Sequence, residues 1–187
     1  EWVDRRFDDV WNTDPAERPP VMTRIHKFDI SDPIHTRYRN SGQVIGTVLN
    51  QYSMSEHNGY FRVATTDHQW WSPDGNANSE SYLTVLEDTD DGLTEVGRIG
   101  KLGKGERIYA VRFLNDLATV VTFRQTDPLY TIDLSQPEQP RLLGELKILG
   151  YSAYLHPVGN SLLLGVGQDA LETGQTTGTQ VSLFDIS

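Results

Sequence analysis

Four tryptophans, Trp2, Trp11, Trp70 and Trp71, fall outside every segment that patterns as a strand. They lie in two polar stretches, residues 1–22 and 67–81, beside Asp4, Asp8, Asp9, Asp67 and Asp74. An indole offers a large contact face and one N–H donor, so tryptophans flanked by carboxylates suit stacking on a sugar or gripping a peptide. The plainer alternative is that the rings fold back over their own loops or over a sheet edge. Asp88-Thr89-Asp90-Asp91-Gly92 opens like a Ca²⁺ loop, but no Glu stands where such a loop needs its bidentate ligand. A tight turn with Gly92 at positive φ accounts for the same residues. Gln168, Asp169 and Glu172 form a second oxygen-rich group, suited to a metal or polar ligand or else to a solvated loop.

Signatures of catalysis are missing from the sequence. His26, His35, His57, His68 and His156 show no zinc-protease spacing, and Gly103-Lys104-Gly105 lacks the Lys-Ser/Thr ending of a phosphate loop. There is no Gly-x-Ser-x-Gly elbow. His57 and His156 each stand just before a turn and could line a common face, although local hydrogen bonding is the simpler role. A glycosidase needs two carboxylates about 5–10 Å apart, but acids are too abundant here for their presence to discriminate. Among 187 residues, 26 are acidic and 16 basic, giving a formal net charge of −10. That balance disfavours nucleic acid and anionic membrane surfaces, both of which need a basic face. No apolar run reaches the ~18 residues of a membrane span, so no insertion of this segment is expected. The chain has no Cys, which excludes disulfides, thiol nucleophiles and Cys-ligated metals. No cofactor is expected, with Ca²⁺ the one candidate.

The elements that must position these residues repeat. An apolar-rich run ending in an acid occurs as Ile25–Asp29, Leu83–Glu87, Leu129–Asp133 and Val181–Asp185. A glycine preceded by apolar residues follows the first three runs, at Gly46, Gly97 and Gly144. Between glycine and acid there is room for four short strands, clearest at 95–99, 107–113, 117–123 and 129–133. Asn58-Gly59 between two apolar runs signals a hairpin. No segment keeps a helical period. Four short strands recurring every ~40–50 residues is the pattern of propeller blades. The expected fold is therefore all-β: a partial β-propeller with three complete four-stranded antiparallel blades and the outer strand of a preceding one. The expected boundaries are 1–31 for a loop and that last strand, then blades at 43–87, 94–133 and 141–186. Ser31-Asp32-Pro33 and Ser135-Gln136-Pro137 suit crossings from one blade to the next, since proline cannot donate to a ladder. The loops at 1–22, 67–81 and 168–180 should then share one rim. A self-contained β-sandwich is the competing fold.

Several strings resemble the secreted bacterial and archaeal β-propeller domain family: Thr23–Ser31, Leu49–Thr66, Gly105–Leu114, Val121–Tyr130 and Gly150–Val158. The likeness spans nearly all of residues 21–187. It implies an exported or cell-surface protein, bacterial or archaeal, whose full chain is several hundred residues longer. It carries no catalytic residues with it.

The functional expectation is a non-enzymatic extracytoplasmic module that binds a protein or glycan through its long-loop face. Trp2, Trp11, Trp70, Trp71, Asp67, Asp74 and Asp169 are the candidate binding residues, and the remaining blades of the full-length chain are the structural partners. Two alternatives stand beside it. One is a hydrolase or lyase acting on polysaccharide or peptide through rim carboxylates, and the other is a purely structural module of a larger exported protein.

Overall fold

The structure, a computed structural model, describes residues 20–67, 79–123 and 127–186. Its strands are β1 (Met22–Asp29), β2 (Arg37–Ile45), β3 (Met54–His57), β4 (Tyr60–Asp67), β5 (Glu80–Thr89), β6 (Gly92–Leu102), β7 (Arg107–Leu114), β8 (Leu117–Phe123), β9 (Asp127–Asp133), β10 (Arg141–Ile148), β11 (Tyr151–Val158), β12 (Leu162–Ala170) and β13 (Thr176–Asp185). All pairings are antiparallel between sequence neighbours. They form sheets β1-β2, β3-β4-β5-β6, β7-β8-β9-β10 and β11-β12-β13. The only helical element among the described residues is a 3₁₀ turn at Gln51–Ser53, capped by the Asn50 side chain accepting from the Tyr52 amide.

The turns form for local reasons. Asn58 (φ 51°) and Gly59 (φ 85°) both adopt the left-handed region that a two-residue hairpin matched to strand twist demands, and these two residue types tolerate it best. Asn115 (φ 50°) does the same between β7 and β8.

Packing explains the composition of the central strands. Three apolar cores lie between successive sheets. Val44, Val63, Leu86 and Leu93 join β1-β2 to the first four-stranded sheet. Leu83, Val85, Ile108, Val120 and Ile132 join the two four-stranded sheets. Ala110, Val121, Leu129, Leu155, Leu163 and Phe184 join the second of these to β11-β12-β13. Adjacent residues of one strand thus serve two cores: Val63 one and Ala64 the next, Val120 one and Val121 the next. A sheet covered on both faces needs a near-continuous apolar run, which is what β8 (LATVVTF) provides.

The fold class agrees with the expectation, but the strand pairing groups the strands one step later. The acids at 29 and 133 do not end a sheet. The chain turns and comes straight back, placing Arg37 opposite Asp29 and Arg141 opposite Asp133. Asp29 and Asp133 each accept the amide of the serine two residues on, which folds the turn within one sheet. The prolines at 33 and 137 therefore sit inside hairpins. Crossings between sheets fall instead at 46–53, 103–106 and 149–150, where Gly46 (φ 86°), Gly103 (φ 60°) and Gly150 (φ 84°) have left-handed backbones. The 94–133 unit accordingly becomes β7 to β10, and the described residues hold two complete four-stranded sheets flanked by a pair and a triplet. On the triplet's outer face Val181 and Leu183 are 64% and 60% exposed.

Candidate functional site

In both complete sheets the second-to-third strand connection and the entry to the first strand lie at one end. The hairpin turns lie at the other. Asp67 and Asp169 stand near the first end, at the close of β4 and β12. Asp67 pairs opposite Glu80, and its Oδ1 accepts from the Val21 amide at 3.4 Å, tying the entry of β1 to β4. Asp169 pairs opposite Gly178, and its Oδ2 accepts from Thr177 Oγ1 at 2.7 Å. The two aspartates occupy different sheets, with β7-β8-β9-β10 between them in chain order. Trp2, Trp11, Trp70, Trp71 and Asp74 lie outside the described residues, as do Asp4, Asp8, Asp9 and His68. The loop carrying Trp70 and Trp71 leaves β4 and enters β5 at this same rim.

The expected loop at 168–180 is mostly strand. β12 and β13 pair as far as Ala170 and Thr176, and a tight turn closes them through Leu171 N–H to Gln175 O (2.9 Å) and Gly174 N–H to Leu171 O (2.8 Å). Asp88–Gly92 is likewise a two-residue turn joining β5 to β6. The Asp88 carboxylate is taken by Lys27 Nζ (3.2 Å) and Asn40 Nδ2 (2.5 Å), and these partners hold its pKa below the usual carboxylate range. Among the described residues no group of three or more His, Asp or Glu comes together in a metal-binding arrangement. His57 in β3 and His156 in β11 both stand near the end of a first strand, before its turn, and each is engaged locally. His57 Nε2 lies 3.3 Å from Asp116 Oδ1, and His156 Nδ1 lies 3.1 Å from Tyr154 Oη.

Two aromatic groups were not anticipated from sequence. At the long-loop rim, Tyr109, Phe123 and Tyr151 pack with ring centroids 4.8–5.4 Å apart, joining the second four-stranded sheet to the triplet. Arg107 lies over Tyr109 at 5.2 Å, and Tyr151 Oη donates to Gln168 Oε1 at 3.1 Å. Tyr82 stands at the same end of β5, and burial together with Glu80 pushes its phenol up to about 12. Further along the first strands, Arg112 of β7 lies between Tyr52 and Tyr154. With the strands correctly phased a signal was present. The first strands β7 and β11 each carry paired large side chains three apart, Tyr109 with Arg112 and Tyr151 with Tyr154.

At the short-turn rim a cavity of about 220 Å³ opens between the two complete sheets, lined by His57, Tyr60, Arg62, Asp116, Leu134 and Pro137 among others. Arg62 is buried. It donates to the Asn115 carbonyl and, at 2.7 Å, to Ser55 Oγ, and it lies 5.0 Å from the Phe113 ring centroid. Burial pulls its pKa down, with Asp116 opposing.

Successive four-stranded antiparallel sheets, packed face on face with their first strands converging, define an open segment of a β-propeller. The comparison with known proteins gives the same answer. Residues 8–187 match the family model described as "Beta propeller domain", and the chain belongs to that family. It is similar to an uncharacterised protein of Methanocaldococcus jannaschii, 50% identical over 147 residues, which covers 79% of this chain and 22% of the relative. It is also similar to an uncharacterised protein of Archaeoglobus fulgidus, 46% identical over 165 residues, which covers 88% of this chain and 23% of the relative. The chain thus spans under a quarter of the length of the curated relatives it matches.

Proposed function

We propose that this chain is a non-enzymatic recognition segment of an extracytoplasmic propeller, which takes a protein or glycan partner on its long-loop rim. The observation that carries the reading is the gathering of Tyr109, Phe123 and Tyr151 from two adjacent sheets at that rim, with Arg107 beside them. Half-buried aromatics backed by a rigid sheet, with an arginine alongside, are the residue types that dominate binding energy at interfaces and on sugar surfaces. The loop bearing Trp70 and Trp71 enters and leaves at the same end of the neighbouring sheet. Rigid strands with variable loops at one end are a common division between scaffold and recognition.

The test is a double replacement, Trp70→Ala with Trp71→Ala, in the full-length protein. Capture of cell-envelope glycan or envelope protein should fall by about tenfold or more, the size expected for losing an aromatic anchor. The unfolding midpoint should hold. Unchanged capture would refute the rim as the binding surface. Recovery of the protein in the cytoplasmic fraction of its host would refute the extracytoplasmic part.

A further inference from the structure

Arg112 stands where the first strands of three successive sheets meet: β7 packs against β11 on one side and against the 3₁₀ turn before β3 on the other. Its guanidinium is held from several directions. Nε donates to the Leu155 carbonyl at 2.8 Å, and the guanidinium carbon lies 4.3 Å from the Tyr52 ring centroid and 5.3 Å from that of Tyr154. The two rings meet edge to face at 6.0 Å. Arg39, Arg98 and Arg141 each reach a carboxylate within 4 Å, whereas Arg112 reaches none among the described residues. Arg62 and Arg107 also reach no carboxylate, but their terminal nitrogens donate to protein oxygens, whereas among the described residues Arg112 donates through Nε alone and keeps its terminal nitrogens for an anion. Tyr52 and Tyr154 are both exposed, so the place is open to a ligand.

The chemistry narrows the ligand. A guanidinium already fixed at Nε keeps its terminal nitrogens as a planar donor pair, which matches a carboxylate in a way that an ammonium does not. Because the side chain is pre-positioned, little ordering entropy remains to be lost on binding. The exposed tyrosine rings offer faces for the C–H side of a pyranose, and the Tyr154 hydroxyl with His156 offers hydrogen-bonding partners to ring hydroxyls. We propose that Arg112, held between Tyr52 and Tyr154, receives the carboxylate of a uronic-acid residue in an acidic glycan. The site is distinct from the long-loop rim and stands whether or not that rim binds.

The experiment is calorimetric titration of the full-length protein with trigalacturonate, with maltotriose as the neutral control and triglutamate as the peptide control. Trigalacturonate should bind at least about tenfold more tightly than either control, and its affinity should weaken with added salt. Arg112→Gln should lose about tenfold or more, and Arg112→Lys, which keeps the charge but not the fork, should lose nearly as much. Tyr52→Ala leaves the Leu155 carbonyl contact untouched and should lose several-fold, so the proposal stays testable if Arg112→Gln folds poorly. Absence of trigalacturonate binding would overturn the proposal, as would equal binding of maltotriose, equal binding of triglutamate, or full affinity in Arg112→Lys.

Discussion

The inter-sheet cores make a sharp prediction when one chemical change is placed on two third strands. Leu83 of β5 is 0% exposed, within the core between the two four-stranded sheets, whereas Leu183 of β13 is 60% exposed. Leu83→Ala removes apolar contacts from both sheets and leaves a cavity that neither can close. That costs about 3 kcal/mol or more. For a chain of this size each kcal/mol lowers the midpoint by about 2–4 °C, so a fall of about 6–12 °C is expected. Leu183→Ala opens no closed cavity. Scaling the ~1.5–3 kcal/mol of complete leucine burial by its small buried share leaves about 1 kcal/mol or less. Urea unfolding of the 187-residue chain, followed by far-ultraviolet circular dichroism, separates the two through their midpoints at constant slope. In the full-length protein, where a further blade is proposed to cover β11-β12-β13, the Leu183→Ala penalty should rise to about 2 kcal/mol or more. If Leu83→Ala cost less than ~1 kcal/mol, or Leu183→Ala cost more than Leu83→Ala in the short chain, face-on-face packing would not be what holds these sheets together.

Three further outcomes follow from particular contacts. A Cβ at Gly97 would lie 2.2 Å from the Pro137 carbonyl oxygen, so Gly97→Ala must push the β9–β10 turn off β6 and should cost about 1–3 kcal/mol in denaturant unfolding. Arg62→Ala strips the Asn115 carbonyl and Ser55 Oγ of their buried donor and should cost about 2–4 kcal/mol. Arg62→Lys cannot reach both acceptors and should recover little of it. The Ser135 amide and hydroxyl, and then Arg141, hold the Asp133 carboxyl below its ordinary value. A group depressed in the folded state contributes stability above its unfolded pKa of ~3.9 and loses it as pH falls through the folded value, so Asp133→Asn should flatten the acid side of the stability profile below about pH 4.

The architecture was legible because β-strand patterning and turn chemistry are local. The alternation in 107–123 and the Asn58-Gly59 turn announce hairpins before any tertiary contact exists. Grouping the strands into sheets is a different matter, since it depends on which edge a returning strand meets. Asp29 and Asp133 look like full stops in sequence, yet each carboxylate folds a turn that sends the chain back along its own sheet. The recurring glycines misled for a related reason. Gly46 follows a strand with φ 86°, Gly97 lies inside β6 against Pro137, and Gly144 has open space around its would-be Cβ, so one rhythm covers three structural causes. The Tyr109–Phe123–Tyr151 and Tyr52–Arg112–Tyr154 groups draw residues from separate sheets, and no spacing along the chain reveals such convergence until the sheets are phased.

The account turns on which strands share a sheet, and residues 141–148 decide it. Cross-strand nuclear Overhauser effects in the labelled protein should join Arg141 to Asp133, Glu145 to Tyr130 and Leu146 to Leu129, placing β10 on β9. A hairpin in which 142–148 pairs with 151–156 instead would contradict the account, and with it the convergence of first strands that places Arg112 between its two tyrosines.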